Sequence, residues 1–299
     1  MTPLIFDFSD NADLFGGIAS QLQAERGRLH LRDFPDGETY VRVDSACAQR
    51  EAIIVCGLDR PNPKLLPLLL VAATLRDLGA TRVGLVAPYL AYMRQDKRFV
   101  DGEGVTARYF AALLSASFDW LVTVDPHLHR IQTLDQIYTL PTCVARSAPL
   151  LARWIKREIT RPLLIGPDAE SEQWVCDVAR RAGVPYRILE KTRTGDRDVS
   201  VSVPDVAQHV DRVPILIDDI ASTGQTFVAA LGVVRQLGMV GPVCIAVHGV
   251  FAHGAISAMR EAGALRIVTC NTIAHETNAI DLSKTVASAC RSLVAATSN

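Results

Sequence analysis

The stretch Val213-Pro214-Ile215-Leu216-Ile217-Asp218-Asp219-Ile220-Ala221-Ser222-Thr223-Gly224-Gln225-Thr226 carries the most explicit chemistry in the sequence. An apolar run with the character of a buried strand ends in two adjacent carboxylates. It then turns through Ser-Thr-Gly-Gln-Thr and enters a helix at Thr226-Phe227. The first turn of a helix offers unpaired N–H groups and a partial positive charge, both suited to a phosphate. Gly224 lets the backbone approach an anion, and Ser222, Thr223 and Thr226 supply hydroxyl donors. Asp218 and Asp219 cannot take phosphate themselves; their oxygens suit sugar hydroxyls or hydrated Mg²⁺. An ordinary turn with a hydroxyl cap and two solvated aspartates would explain a lone S-T-G. It does not explain D-D-x-x-S-T-G-x-T behind an apolar strand. No G-x-x-x-x-G-K-[S/T] and no G-x-G-x-x-G is present, so neither a P-loop kinase nor a dinucleotide fold is supported.

The elements that must hold this turn follow from the alternation of short apolar runs with longer helical stretches. Ala52–Cys56, Val83–Val86, Leu121–Val124, Leu163–Ile165, Ile215–Ile217, Val243–Val247 and Arg266–Val268 read as buried strands. Leu65–Leu78, Val105–Ser115, Ala148–Glu158, Ser171–Ala182, Thr226–Leu237 and His253–Glu261 have helical periodicity, and several stop at a glycine. This pattern predicts α/β architecture, with mainly parallel sheets flanked by helices. Pro141 and Pro149 bracket the best dividing point, near residues 141–147.

The chain has 299 residues, a formal net charge of -1 and 49% hydrophobic residues, a size that fits two domains. The near-neutral charge argues against nucleic acid as a partner, but not against small phosphorylated ligands. Seven scattered cysteines with no C-x-x-C pair suit a reducing compartment. The N-terminus lacks the basic-then-apolar pattern of a signal peptide, and the longest apolar run, Leu65–Leu75, is too short for a bilayer span. The expectation is therefore a cytoplasmic chain without a membrane partner.

The 213–226 segment resembles the phosphoribosyl-binding loop of type I phosphoribosyltransferases and of the ribose-phosphate pyrophosphokinases that make their substrate. That likeness alone leaves both functions open. Further segments, in order, are similar to the pyrophosphokinase family. Phe34-Pro35-Asp36-Gly37-Glu38 looks like its nucleotide-base loop, where Phe34 would stack and Asp36 and Glu38 would accept from the adenine amine; alone, an acidic Asp-Gly hairpin turn would account for it. Pro88-Tyr89-Leu90-Ala91-Tyr92-Met93-Arg94-Gln95-Asp96 is similar to P-Y-x-x-Y-x-R-Q-D, with Arg94 able to stack on the base or clamp a phosphate. Asp125-Pro126-His127 matches the family's D-x-H, whose histidine serves the metal bound to ATP; His129 and Arg130 are particular to this chain, and no further ligand at a suitable spacing favours zinc. Gly166-Pro167-Asp168-Ala169-Glu170-Ser171 resembles the pyrophosphate loop with its metal-binding aspartate, although Glu170 and Ser171 stand where members often have glycines. Lys191-Thr192-Arg193-Thr194-Gly195-Asp196 matches the family's catalytic loop with K-x-R.

The resemblance implies two similar phosphoribosyltransferase-like domains, residues 1–145 on the ATP side and 146–283 on the ribose 5-phosphate side. A final helix over 284–296 would pack on the first. It implies transfer of the pyrophosphoryl group of Mg-ATP to the 1-hydroxyl of ribose 5-phosphate, giving phosphoribosyl pyrophosphate and AMP. Phe34, Asp36, Glu38, Arg94, Gln95, Asp96 and His127 would serve ATP. Asp218, Asp219, Ser222, Thr223, Gly224, Gln225 and Thr226 would hold ribose 5-phosphate. His127 and Asp168 would hold Mg²⁺, and Lys191 with Arg193 would stabilise the transition state. Family active sites lie between domains with the base loop from a neighbouring subunit, which implies a homodimer or larger homo-oligomer. One departure stands out: Ser222 occupies a position that is acidic in many bacterial members, a form closer to the shorter archaeal-type members. The rival readings are a phosphoribosyltransferase, which would not need R-Q-D, and a silent regulatory homologue, which would have lost Lys191, His127 or Asp218.

Overall fold

The computed structural model describes residues 2–194, 198–202 and 206–295. The chain folds as two compact units, residues 1–146 with 282–299, and Ser147–Asp281.

The first unit is built on strands β1 (Leu4–Asp7), β2 (Glu25–Arg26), β5 (Glu51–Val55), β6 (Arg82–Ala87), β7 (Trp120–Val124) and β8 (Thr142–Ala145), in the order β2-β1-β5-β6-β7-β8. All neighbouring pairs are parallel. Its central strands are buried almost along their whole length, which is why they read as continuous apolar runs rather than alternating ones. Helices α1 (Ala12–Leu22), α2 (Pro61–Asp77) and α3 (Thr106–Ser117) connect them. Helix α2 begins four residues before the apolar periodicity does, because Pro61 occupies the first turn, where a missing N–H costs nothing. Strands β3 (Leu29–Asp33) and β4 (Thr39–Val43) form a separate antiparallel hairpin. Trp120 is fully buried against Gly84, where a β-carbon would come within 2.0 Å of the indole, and its N–H donates to Glu51 at 2.7 Å.

The second unit contains β9 (Pro162–Gly166), β10 (Tyr186–Ile188), β13 (Val213–Ala221), β14 (Val243–Gly249), β15 (Arg266–Cys270) and β16 (Asn278–Ile280), in the order β10-β9-β13-β14-β15-β16, again all parallel. Helices α4 (Ala148–Glu158), α5 (Glu172–Ala182), α6 (Gln225–Gln236) and α7 (Ala255–Glu261) belong to it, as does the antiparallel hairpin β11 (Glu190–Thr194) with β12 (Asp198–Ser202). Phe227, Leu231 and Val234 of α6 pack with Leu163, Ile165, Leu216 and Met259 in its core. The last helix, α8 (Ser283–Ala295), packs on α1, β7 and β8 of the first unit, and Arg291 donates to the Gln21 carbonyl at 2.8 Å. Ala296, the expected last residue of that helix, lies outside the described residues. Among the described residues no helix is long and apolar enough to cross a membrane.

Two strand boundaries differ from those the sequence suggests. Strand β13 does not stop at Ile217; it runs through both aspartates to Ala221, because β14 continues beside it, pairing Ile220 with His248 and Ala221 with Gly249. Lys191 and Arg193, read as part of a loop, lie within β11, where their backbones face Val201 and Val199. Thr192 and Thr194 supply the β-branched residues that favour a strand there.

Candidate active site

In open parallel sheets, ligands bind beyond the carboxyl ends of the strands, where the strand order reverses. In the second unit that reversal falls between β9 and β13. The loop leaving β9 carries Asp168, and the end of β13 with the turn after it carries residues 218–226.

Gly224 is the residue before α6 and has φ +77, left-handed geometry that glycine adopts freely. A β-carbon there would lie 3.2 Å from the Met259 side chain and 3.3 Å from the Ala255 carbonyl oxygen. No side chain caps α6, so its first N–H groups face the turn formed by Ser222 and Thr223. The Ser222 carbonyl is fixed by the Ala252 N–H at 3.1 Å, while Thr223, Gln225 and Thr226 are exposed. An uncapped helix start with exposed hydroxyls beside it offers donors that suit an anion.

The two aspartates differ. Burial first, and then the Asp219 carboxylate beside it, push the Asp218 carboxyl up to about 8. Asp218 Oδ1 accepts the Asp219 N–H at 2.9 Å, which leaves Oδ2 to carry the proton. The two neighbouring carboxyls titrate as a pair, with Asp218 the member whose ionisation burial opposes. On the neighbouring loop Asp168 Oδ1 accepts the Ser171 N–H at 3.1 Å, and the Ser171 hydroxyl donates to the Asp168 carbonyl at 2.7 Å. Ser171 therefore holds the carboxylate through its backbone and the turn through its hydroxyl. Carboxylate oxygens held in this way suit a hard divalent cation.

In the first unit the Phe34–Glu38 turn joins β3 to β4. Phe34 N–H donates to the Glu38 carbonyl at 2.7 Å, and Gly37, with φ +88, makes the reversal. The Phe34 ring is exposed, meets Tyr40 edge-on at 6.1 Å and lies under the Arg32 guanidinium at 4.6 Å. Asp36 and Glu38 are exposed, and Asp36 Oδ1 accepts the Glu38 N–H at 3.2 Å.

The 88–98 segment leaves β6, and the 125–132 segment leaves β7. Tyr89, Leu90, Ala91 and Met93 are buried and anchor the first segment, while Arg94 stays exposed. Gln95 accepts from the Thr106 hydroxyl at 2.9 Å, at the start of α3. His127 and His129 are half-buried with ring centroids 4.0 Å apart, edge to face. Asp125, just before them, has φ +25 and a buried carboxylate 3.5 Å from Arg146. Asp96 accepts hydrogen bonds from the backbone and side chain of Arg130. The sequence gives no sign of this last contact, since the partners are 34 residues apart. The side chains of Lys191 and Arg193, together with Gly195 and Asp196, lie outside the described part of the molecule.

Comparison with known proteins identifies the domains that carry these loops. Residues 3–117 match the family described as the N-terminal domain of ribose phosphate pyrophosphokinase, and residues 133–283 match the phosphoribosyl transferase domain. The ribose-phosphate pyrophosphokinase of Methanobrevibacter smithii is 30% identical over 300 residues, covering 96% of this chain and 100% of the relative. That of Saccharolobus solfataricus is 34% identical over 251 residues, covering 82% of this chain and 84% of its own. The crystal structure of phosphoribosylpyrophosphate synthetase from Mycobacterium smegmatis shares the fold, with a TM-score of 0.87, 24% identity and coverage of 99% of this chain and 100% of that one. With both domain types in sequence order and full-length relatives at this identity, the chain belongs to the ribose-phosphate pyrophosphokinase family.

Proposed function

We propose that the chain forms phosphoribosyl pyrophosphate and AMP from ATP and ribose 5-phosphate, with ribose 5-phosphate held by the second unit and ATP by loops of the first. The observation that carries this reading is the uncapped start of α6 behind Asp218-Asp219, a phosphate cradle with a sugar-hydroxyl acceptor pair beside it. The 5-phosphate takes the N–H groups of Gln225 and Thr226 with the hydroxyls of Ser222, Thr223 and Thr226. Asp218 and Asp219 orient the ribose hydroxyls.

On the ATP side Phe34 stacks on the base, Asp36 and Glu38 accept from its amine, and Arg94 and Gln95 donate to the nucleotide. Asp168 and His127 are the residues that would hold Mg²⁺. The carboxylate oxygen of Asp168 fits that ion's preference, and the bound metal would supply charge neutralisation on the phosphates. Lys191 and Arg193 stabilise the pyrophosphoryl group as it passes from AMP to the ribose 1-hydroxyl, a step without a covalent enzyme intermediate. The working protein is a cytoplasmic homodimer or larger homo-oligomer. Incubation with ATP, Mg²⁺ and ribose 5-phosphate should release AMP, and omission of the sugar phosphate or the metal should abolish it. Release of ADP would mean transfer of the terminal phosphate alone and would refute the reading.

A further inference from the structure

We infer that Asp96 and Arg130 form a clamp that positions the ATP loops of the first unit, with Asp96 acting through Arg130 rather than as a ligand. The inference rests on the assignment of those loops to ATP. The Asp96 side chain is only 4% exposed, against 40% for Arg130. Its Oδ2 accepts the Arg130 backbone N–H at 3.2 Å, and its Oδ1 accepts from Arg130 Nη1 at 3.4 Å. A carboxylate so enclosed and so occupied presents little to a nucleotide, and its burial is tolerable only with the cation in place.

The clamp joins the segment that follows β6 to the segment that follows β7. Arg130 lies three residues after His127, on the segment that follows β7. Asp96 directly follows Arg94 and Gln95, on the segment that follows β6. The same guanidinium also reaches the Phe99 ring, 5.6 Å from its centroid, and Lys97 meets that ring at 5.0 Å. Beyond Phe99 the loop closes on itself. Glu103 accepts the N–H groups of Phe99 and Val100 at 2.7 and 3.1 Å, and the Glu103 carbonyl accepts from Arg98 at 3.0 Å. Residues 97–103 thus form a self-bonded unit whose register is set at its start, where Asp96 meets Arg130. A charge-assisted bond to a backbone N–H plus one to the guanidinium fixes both position and orientation. Loss of the clamp would let Arg94 and Gln95 drift relative to His127, and the cost would fall on nucleotide binding.

The test begins with the unaltered protein, whose release of AMP from ATP and ribose 5-phosphate establishes the underlying reading; absence of AMP refutes that reading and not the clamp. Steady-state constants are then measured for Arg130→Ala, Arg130→Lys, Asp96→Asn and the double variant Asp96→Asn with Arg130→Ala. The clamp predicts that Arg130→Ala raises KM for ATP about tenfold, while kcat and KM for ribose 5-phosphate stay within about threefold. Arg130→Lys should recover most of the ATP affinity, and the double variant should be no weaker than Arg130→Ala alone, because each change removes the same contact. A fall in kcat with an unchanged KM for ATP would overturn the inference, as would additive effects in the double variant. If Arg130→Ala does not fold, Asp96→Asn, which preserves shape, reports the same KM-against-kcat split, with Arg130→Lys as the variant that should stay near the unaltered protein.

Discussion

Strand β5 passes into α2 through Gly57–Arg60, and β13 passes into α6 through Ser222–Gly224, at the same point of two sheets with the same strand order. In each unit the second strand is at one edge, the first lies beside it, and the third to sixth follow in sequence; an antiparallel hairpin is inserted before the third strand. The reversal of strand order, and hence the crevice, falls beside β5 in one unit and beside β13 in the other. Both helices are preceded by a residue in the left-handed region, Arg60 with φ +76 and Gly224 with φ +77. What fills the crevice differs. In the first unit Lys64 folds back over the turn and donates to the Gly57 carbonyl at 2.8 Å and to Asp59 at 3.0 Å, with Asp10 at 3.6 Å. In the second unit the start of α6 has no side-chain cap, and Thr223, Gln225 and Thr226 beside it are exposed. One topology thus supports a crevice closed by its own ammonium group and a crevice whose helix start is left exposed. The first unit accordingly presents its candidate ligand loops from β6, β7 and the β3–β4 hairpin instead.

The sharpest way to break this comparison is at Gly224. Gly224→Val combines a β-branched residue at positive φ with a β-carbon pressed against the Ala255 carbonyl and Met259. We expect kcat/KM for ribose 5-phosphate to fall at least about 100-fold, with ATP binding in the absence of the sugar phosphate retained. Calorimetric titration with a non-hydrolysable ATP analogue, beside the AMP assay, distinguishes the two effects. Equal loss of both would mean that the cradle is not specific to the sugar phosphate.

Lys64→Met should act in the opposite sense, on stability and not on the sugar phosphate. It leaves the buried Gly57 carbonyl and the Asp59 carboxylate without their donor, a loss of about 1–3 kcal/mol. Chemical denaturation should show the drop while KM for ribose 5-phosphate stays within about twofold. A raised KM for that substrate would mean that the Lys64 turn takes part in binding it.

How far this contrast is legible in the sequence depends on what defines each part. The central strands are buried on both faces, so their apolar runs mark them, and the cradle combines a strand, acids, hydroxyls and a glycine within 14 consecutive residues. Strands β2, β10 and β16 have two or three residues each and exist through pairing with a neighbour, so no local pattern reveals them. The end of β13 is set likewise by β14 rather than by Asp218 or Asp219. The match between Arg60 and Gly224 is hidden because arginine gives no hint of a left-handed backbone. The Asp96–Arg130 and Lys64–Gly57 contacts depend on tertiary placement, and side-chain type alone cannot choose the partner.

The aspartate pair sharpens the comparison through pH. Asp218 moves from an ordinary 3.8 to about 8 on folding, through burial and then repulsion from Asp219. Between those values the folded chain keeps a proton that the unfolded chain releases, so this group's contribution to stability declines as pH rises from about 4 to about 8. Asp218→Asn cannot titrate and should flatten that decline. Denaturation midpoints across this range are the measurement; an unchanged slope would mean that Asp218 is ionised in the folded chain.

The smallest expected effect is at Arg60, the counterpart of Gly224. A non-glycine residue in the left-handed region costs roughly 1–2 kcal/mol, and glycine would remove that cost. Glycine also gives the unfolded chain more freedom, which takes back about 0.4–1 kcal/mol. The balance for Arg60→Gly is a gain of about 0.5–1 kcal/mol, seen as a rise in Tm of about 1–3 °C for a unit of this size. Arg60 is exposed, and the contacts that close its turn come from Lys64, so the kinetic constants should not move. The two positions would then share a backbone geometry with opposite demands on the side chain. Glycine is required where a β-carbon would press on Met259 and the Ala255 carbonyl, and is dispensable where an exposed arginine already occupies the left-handed position. A loss of stability in Arg60→Gly would show instead that the arginine side chain supports the turn, and the equivalence of the two helix starts would be limited to their backbone angles.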